Sequence, residues 1–204
     1  MKFLIPADTI KALLAIAPKT ETRSYLVSVC IDVRATDAVA VATDGHKLIA
    51  LPLQLADDAP ALVPGRYIVR REALESVKPT LKRPIIVTID PTLAAVTLDN
   101  GNAAMHSPLM DAVYPDWRKV VPLSVSGEPA QYNAEYIAAF GKAHKLLGGK
   151  YSPMIRHNGD NAARIVLAGD AIGVLMPMRW DMQPLATPSW LVTPDTPAPV
   201  AAAA

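Results

Sequence analysis

Cysteine is almost absent. Cys30 stands alone among 204 residues, which excludes any disulfide within the chain and points to a reducing compartment. It lies in the apolar run 26–33, where a thiol serves as a small buried hydrophobe and not as a nucleophile. Aromatic residues make up only 5% of the chain while hydrophobic residues make up 51%, with Ala and Val dominant. That balance suits a globular protein with extensive sheet and excludes a disordered one. Excess charge is missing too: 20 Lys and Arg face 19 Asp and Glu, for a net charge of +1. No global field draws such a chain onto nucleic acid, so any contact with it has to come from locally sorted charge. No apolar stretch approaches the length of a membrane span, and the N-terminus lacks the long apolar region of a signal peptide. The expectation is a soluble, cytoplasmic protein with no membrane partner.

The groupings that mark enzymes are missing as well. Gly148-Gly149-Lys150 invites a phosphate-loop reading, but His144 stands where the upstream Gly is required and Tyr151 follows where Ser or Thr is needed. His46, His106, His144 and His157 are scattered, with no paired spacing for zinc. Asp111 and Asp116 are close in sequence, yet acids in a loop are commonly turn formers or caps. No nucleophile has a base beside it at a recognisable spacing. The reading is a non-enzymatic binding protein without metal or cofactor.

What the chain does have is repetition. A short strand over 2–5 leads into a helix with Ile10, Leu13, Leu14 and Ala17 at helical spacing; Asp8 or Thr9 is its expected cap and Pro18 its stop. Strands follow over 25–33, 38–43 and 47–53, the first two joined as a hairpin, and then a loop over 56–65. The pattern restarts with a strand at 67–69, a helix at 70–77, and strands at 84–90, 94–98 and 103–109. After a connector over 122–129 it restarts again. This third unit has a strand at 131–133, a helix at 134–147 with Asn133 as cap and Gly148-Gly149 as stop, and strands at 153–157, 164–168 and 172–178. Phe3, Tyr67 and Tyr132 precede the three helices at spacings of 64 and 65. The fold class is therefore α+β, assembled from repeated strand-helix-three-strand units with helices on one face of antiparallel sheets. Beyond Trp180 the Pro- and Ala-rich stretch 181–204 reads as a flexible tail, with Trp190-Leu191-Val192 as an apolar cluster inside it.

Three motifs stand out in that frame: Ala-Thr-Asp-Gly-His-Lys-Leu at 42–48, Tyr-Pro-Asp-Trp-Arg-Lys-Val-Val-Pro at 114–122, and Met-Pro-Met-Arg at 176–179. Asp44-Gly45 between apolar runs is by itself a hairpin signal and no more. The three together, in this order, resemble the bacterial sliding clamp, the β subunit of DNA polymerase III. The resemblance implies a DNA-clamp-like fold. It assigns 1–122 to a middle-like domain of two half repeats and 123–180 to half of a C-terminal-like domain, with no counterpart to the family's first domain or the rest of its third. In the family those missing parts close the dimeric ring, so the usual dimer is not expected here, and a homo-oligomer would need other edges.

The resemblance also implies two surfaces. One is a pocket for the peptide tails of DNA polymerase and other replication proteins. Its wall comprises Leu26, Thr43, Gly45, His46, Lys47 and Leu48, then Pro115, Lys119 and Val120, then Met176, Pro177, Met178 and Arg179. The residue types suit a peptide groove: the methionines and aliphatic residues are adaptable apolar surface, and the cations can hold carbonyls or carboxylates at the rim. Lys47 replaces the arginine more usual beside the histidine, which weakens any bidentate contact there. The other surface is a helical one that contacts double-stranded DNA through phosphates without reading bases. It would draw on Lys11, Lys19, Arg23 and Tyr25, on Arg70, Arg71 and Lys78, and on Lys142 and Lys145. Several of these fall at helix C-termini, where the helix dipole favours cations in any case. The resulting expectation is a sliding-clamp-like processivity factor; the alternative is a monomeric peptide-binding protein that captures replication partners without encircling DNA.

Overall fold

The computed structural model describes residues 1–77, 83–179, 187–188 and 190–191. The first two expected units are present, and the third lacks its leading strand. The first has β1 (Lys2–Ile5), α1 (Ala7–Ile16), β2 (Ser28–Val33), β3 (Ala38–Thr43) and β4 (Lys47–Pro52), with a short extra strand β5 (Gln54–Leu55). The second has β6 (Gly65–Arg70), α2 (Arg71–Ser76), β7 (Ile85–Asp90), β8 (Ala95–Asp99) and β9 (Ala104–Pro108). The third has α3 (Ala134–Leu146), β10 (Met154–Arg156), β11 (Ala163–Val166) and β12 (Ile172–Leu175).

The strands form two antiparallel sheets, one of five in the order β5-β1-β7-β8-β9 and one of seven in the order β10-β11-β12-β4-β3-β2-β6. The first two units exchange strands: β1 pairs with β7, placing Phe3 opposite Val87, and β6 pairs with β2, placing Val69 opposite Val29. The third unit attaches differently. Its last strand β12 pairs with β4, the last strand of the first unit, with Val174 opposite Leu48 and Leu175 opposite Lys47. Beneath that joint α3 packs against α1. Gly173 makes the approach possible, because a Cβ there would stand 2.8 Å from the Phe140 ring of α3 and 2.7 Å from Ile165.

Period-two alternation divides the seven-stranded sheet between two cores. Ile31, Ala40, Ala42, Ile49, Leu51 and Leu175 face the helices in the main core, together with Phe3, Ile10, Leu13 and Phe140. Cys30, Val41, Leu48, Ala50, Ile68 and Val174 face the other way and pack under Tyr114 and Trp117. Among the described residues no helix is long and apolar enough to cross a membrane.

Some local expectations change. Helix α1 starts at Ala7, with Pro6 in the cap position, so neither Asp8 nor Thr9 caps it. Asp8 falls in the first turn and pairs with Lys11 at 3.0 Å. Proline before the helix supplies a preset backbone angle in place of a side-chain cap. Asn133 does cap α3, accepting from the Glu135 N–H at 2.8 Å. Residues 131–133 form no strand. In the first two units the leading strand finds its partner in the other unit, and among the described residues no such partner is offered to the third. The Gln131 carbonyl instead accepts from the Met178 N–H at 2.8 Å. Aligned at their helix starts, Pro6, Arg70 and Asn133, the units place Tyr132 with Ile5 and Val69, not with Phe3 and Tyr67. Residues 25–27 belong to a 3-10 turn (Ser24–Leu26) and its exit, not to β2. Of the tail, only 187–188 and 190–191 fall within the described residues.

Candidate functional site

The turn between β3 and β4 is built from its own side chains. The Thr43 hydroxyl donates to the Lys47 carbonyl at 2.8 Å and accepts from the Gly45 N–H at 3.0 Å. One Asp44 carboxylate oxygen accepts from the N–H groups of His46 and Lys47 at 2.9 and 2.8 Å, and the other meets the Lys47 ammonium. Gly45 has φ +93°, and a Cβ on it would stand 3.2 Å from the Arg23 guanidinium. Both the conformation and the close neighbour require glycine. The turn is carried directly onto the third unit, because the His46 carbonyl accepts from the Met176 N–H at 2.9 Å.

The second motif is a lid on the outer face of the seven-stranded sheet. Tyr114 and Trp117 are buried on that face, and the Tyr114 hydroxyl donates to the Val41 carbonyl at 3.3 Å. Asp32, buried within the apolar strand β2, is its anchor. It accepts from the Trp117 indole N–H at 2.8 Å and from the Arg118 guanidinium, with Arg66 at 3.5 Å. Arg66 also donates to the Tyr114 carbonyl at 3.2 Å and to Asp116 at 3.1 Å. Lys119 and Arg66 beside Asp116 hold its carboxyl below the usual carboxylate range. Burial pushes the Tyr114 phenol up, so it remains a neutral donor. Burial likewise pushes the Cys30 thiol beneath this lid up to about 12.

These contacts bring part of the expected pocket together. Leu48 and Val174 are buried neighbours across the β4–β12 joint, and Val121 packs against their cluster. Leu26 and Thr43 are buried as well. Val120, Met176 and Met178 keep 47%, 40% and 42% of their surface exposed, so they offer apolar area to a partner. Pro115, Lys119 and Arg179 are exposed and Pro177 is half-buried. His46 and Lys47 are committed elsewhere. The His46 ring stacks on Tyr136 of α3 at 5.9 Å, and the Lys47 ammonium lies 4.7 Å from the same ring. With Asp44 as its ion partner and only 11% of its side chain exposed, Lys47 clamps the first unit to the third and is no rim cation. Tyr136, Asp32, Arg66 and Arg118 were not anticipated as site residues. Only Asp32 carried a signal, since a carboxylate inside an apolar strand has to find donors.

On the opposite face α1 and α3 border a groove of about 570 Å³ that collects Lys11, Lys19, Arg71 and Lys142 around Leu14, Ala138 and Ala139, with Glu75 and Glu135 among them. Arg71 is a correction. It is buried, and its guanidinium donates to the carbonyls of Leu14, Ala17 and Pro18 at 3.1, 2.7 and 3.3 Å and to Glu75 at 2.7 Å. It caps the C-terminus of α1 and is not available to a phosphate. Lys19, Arg70, Lys142 and Lys145 are exposed. Arg23 is exposed beside Glu21 and the Gly45 turn, and Tyr25 is half-buried. Lys78 lies outside the described residues. No cluster of three or more potential metal ligands occurs among the described residues.

Paired units of this kind, with helices on one side and a sheet running across the unit boundary, define the fold of the DNA sliding clamps. No family model matches the chain. In sequence it is 28% identical over 148 residues to the beta sliding clamp of Vibrio cholerae serotype O1, a match covering 71% of this chain and 39% of that protein. In structure it is similar to the DNA polymerase sliding clamp of Bacillus subtilis, with a TM-score of 0.65 and 15% identity over 89% of this chain and 65% of that one. The DNA polymerase III β subunit of Pseudomonas aeruginosa gives 0.63 and 17%, over 88% and 67%. The chain thus resembles the bacterial sliding clamp in sequence and shares its fold, while its match spans about two-fifths of the curated relative's length.

Proposed function

We propose that this protein is a clamp-like processivity factor: its outer groove holds the apolar tail of a DNA polymerase or other replication protein, and its helical face rests on double-stranded DNA. It acts as an accessory and not as an enzyme, in the cytoplasm. Residues 1–122 would form a middle-like domain and 123–180 a half domain joined to it through β4 and β12. One observation supports the peptide reading: Val120, next to Val121 that packs on the buried Leu48–Val174 cluster, and Met176 and Met178, which follow β12, all keep exposed apolar side chains. Thioether side chains repack around varied partners, which suits a site serving several tails. Gly45, Thr43, Pro115 and Pro177 shape its wall, and Lys119 and Arg179 supply the rim charge. Leu26 lies beneath.

The DNA reading draws on Lys11, Lys19 and Lys142 in the helical groove, with Arg23, Tyr25 and Lys145 near them in sequence and Arg70 next to the groove residue Arg71. Phosphate contact by such a small set is sequence-independent and salt-sensitive. The test is fluorescence anisotropy with a labelled peptide ending in apolar residues. Saturable binding weakened about tenfold, roughly 1.4 kcal/mol, by Met178→Ala is the expected result. Identical affinity in Met176→Ala and Met178→Ala would refute the groove. Peptide binding by a chain that never associates with DNA would favour the alternative, a partner-capturing protein that does not embrace DNA.

A further inference from the structure

We propose that Arg156 and Arg164 form a binding site for a dianionic phosphate, free or carried on a small ester, on the outer face of the seven-stranded sheet. The β10–β11 register sets Arg156 directly opposite Arg164, and the β11–β12 register sets Arg164 opposite Val174. Residues directly opposite share a face. Both arginines therefore stand on the face that carries Val174 and the lid, while their neighbours Ile155 and Ile165 turn to the main core.

Like charges set directly across an antiparallel pair repel each other. Among the described residues the arginine ion pairs are those of Arg23, Arg66, Arg71 and Arg118, and neither Arg156 nor Arg164 is among them. The same face shows how two arginines are neutralised elsewhere: Arg66 and Arg118 converge on the Asp32 carboxylate beneath the lid. At β10 and β11 the two cations share a pocket of about 310 Å³ with Pro122, Ser124, Val125 and Val166, and no Asp or Glu lines it among the described residues. The connector that walls this pocket is held at both ends. Val121 packs into the cluster under the lid, and the N–H groups of Ser126 and Gly127 donate to the Asn158 side chain at 2.9 Å and the His157 carbonyl at 3.0 Å. The site is thus preformed, with the volume of a small-ligand pocket.

Charge selects the ligand. A phosphate monoester carries about −1.5 to −2 at neutral pH and presents three acceptor oxygens. Guanidinium forks match such oxygens bidentately, and a dianion neutralises both arginines where a single carboxylate neutralises one. Ser124 adds a hydroxyl to the lining, and Pro122, Val125 and Val166 add apolar surface for the body of an ester. Duplex DNA is not the source, because its proposed contacts lie with α1 and α3 on the opposite face. None of these residues belongs to the proposed peptide groove, so the inference goes beyond both readings and stands or falls separately from them.

The experiment is an amide chemical-shift titration of the full chain at slightly alkaline pH, where phosphate is a dianion. Sodium phosphate and phenyl phosphate are compared with sodium chloride at equal ionic strength. Saturable shifts are expected at Arg156, Arg164, Ser124 and Val125 with either phosphate and not with chloride. Arg156→Gln and Arg164→Gln should each weaken binding at least about tenfold, whereas Arg34→Gln, between β2 and β3, should leave it unchanged. Circular dichroism checks that each variant folds. As a second readout, phosphate should raise the Tm of wild type and not that of the double variant, since a ligand of the folded state stabilises it. Tighter binding of phenyl phosphate assigns an ester with an apolar body, and equal binding assigns free phosphate. Shifts that do not saturate, that chloride reproduces, or that persist in the Arg156→Gln, Arg164→Gln double variant overturn the proposal.

Discussion

Replacing Arg71 separates structure from DNA contact at one position. Its side chain is 9% exposed and holds three carbonyls at the end of α1 as well as Glu75. Arg71→Ala leaves those carbonyls short of a donor in a partly dry site. Hydrogen bonds to a charged group contribute about 1.5–3 kcal/mol each, but the three carbonyl bonds share one nitrogen and do not add. We expect a loss of about 3 kcal/mol, a drop in Tm of about 6–12 °C for a chain of this size. Arg71→Lys recovers part of it, because an ammonium reaches the carbonyls without the planar fork that also serves Glu75. The assay is urea unfolding followed by circular dichroism, reading the midpoint at constant slope. Arg70→Ala, one residue away and exposed, should stay within about 0.5 kcal/mol of wild type. An Arg71→Ala protein less than about 1 kcal/mol destabilised, yet weakened in DNA binding, would refute the capping role.

Three other outcomes follow from the same contacts. Asp32→Ala strands the Trp117 indole and the Arg118 guanidinium under the lid, and urea unfolding should show a loss of about 3 kcal/mol. The Cys30 thiol, raised from 9.0 to about 12, stays protonated in the fold while the unfolded thiol ionises. Its contribution to stability is thus complete below pH 9 and fades as pH rises towards 12. Relative to Cys30→Ala, wild type should lose about 1.4 kcal/mol between pH 8 and pH 10 in urea titrations. For DNA, the Lys19→Glu and Lys142→Glu pair should weaken binding to duplexes of any sequence and flatten the plot of log affinity against log salt by about 2, measured by anisotropy.

The sequence made the repeat legible because each unit carries its own local signals. Alternation marks the strands, Asn133 caps α3, and Asp44-Gly45 and Gly101 supply turns whose backbone only glycine adopts easily. The joint between the first and third units was legible only through the family motifs, since no local signal says that β12 will pair with β4. Charge was the least readable property. Arg71 and Lys47 have the composition of ligand-binding cations, yet one caps a helix and the other sits between Asp44 and Tyr136. Both roles depend on partners distant in sequence, Leu14 through Pro18 for the first and α3 for the second. Period two did distinguish the faces of β4: Leu48 turns to the lid and Ile49 to the helices, so Lys47 had to follow Ile49. The missing strand at 131–133 has the same origin, because strand formation there depends on a partner edge and not on the residues themselves.

The most direct test of the clamp-like groove is to follow backbone amide resonances while adding a peptide with the apolar tail of a polymerase. Shifts are expected to concentrate at Thr43 to Leu48, at Val120 and Val121, and at Val174 to Arg179, saturating together at one stoichiometric site. Shifts confined to the α1–α3 face, or no saturable change at all, would contradict it.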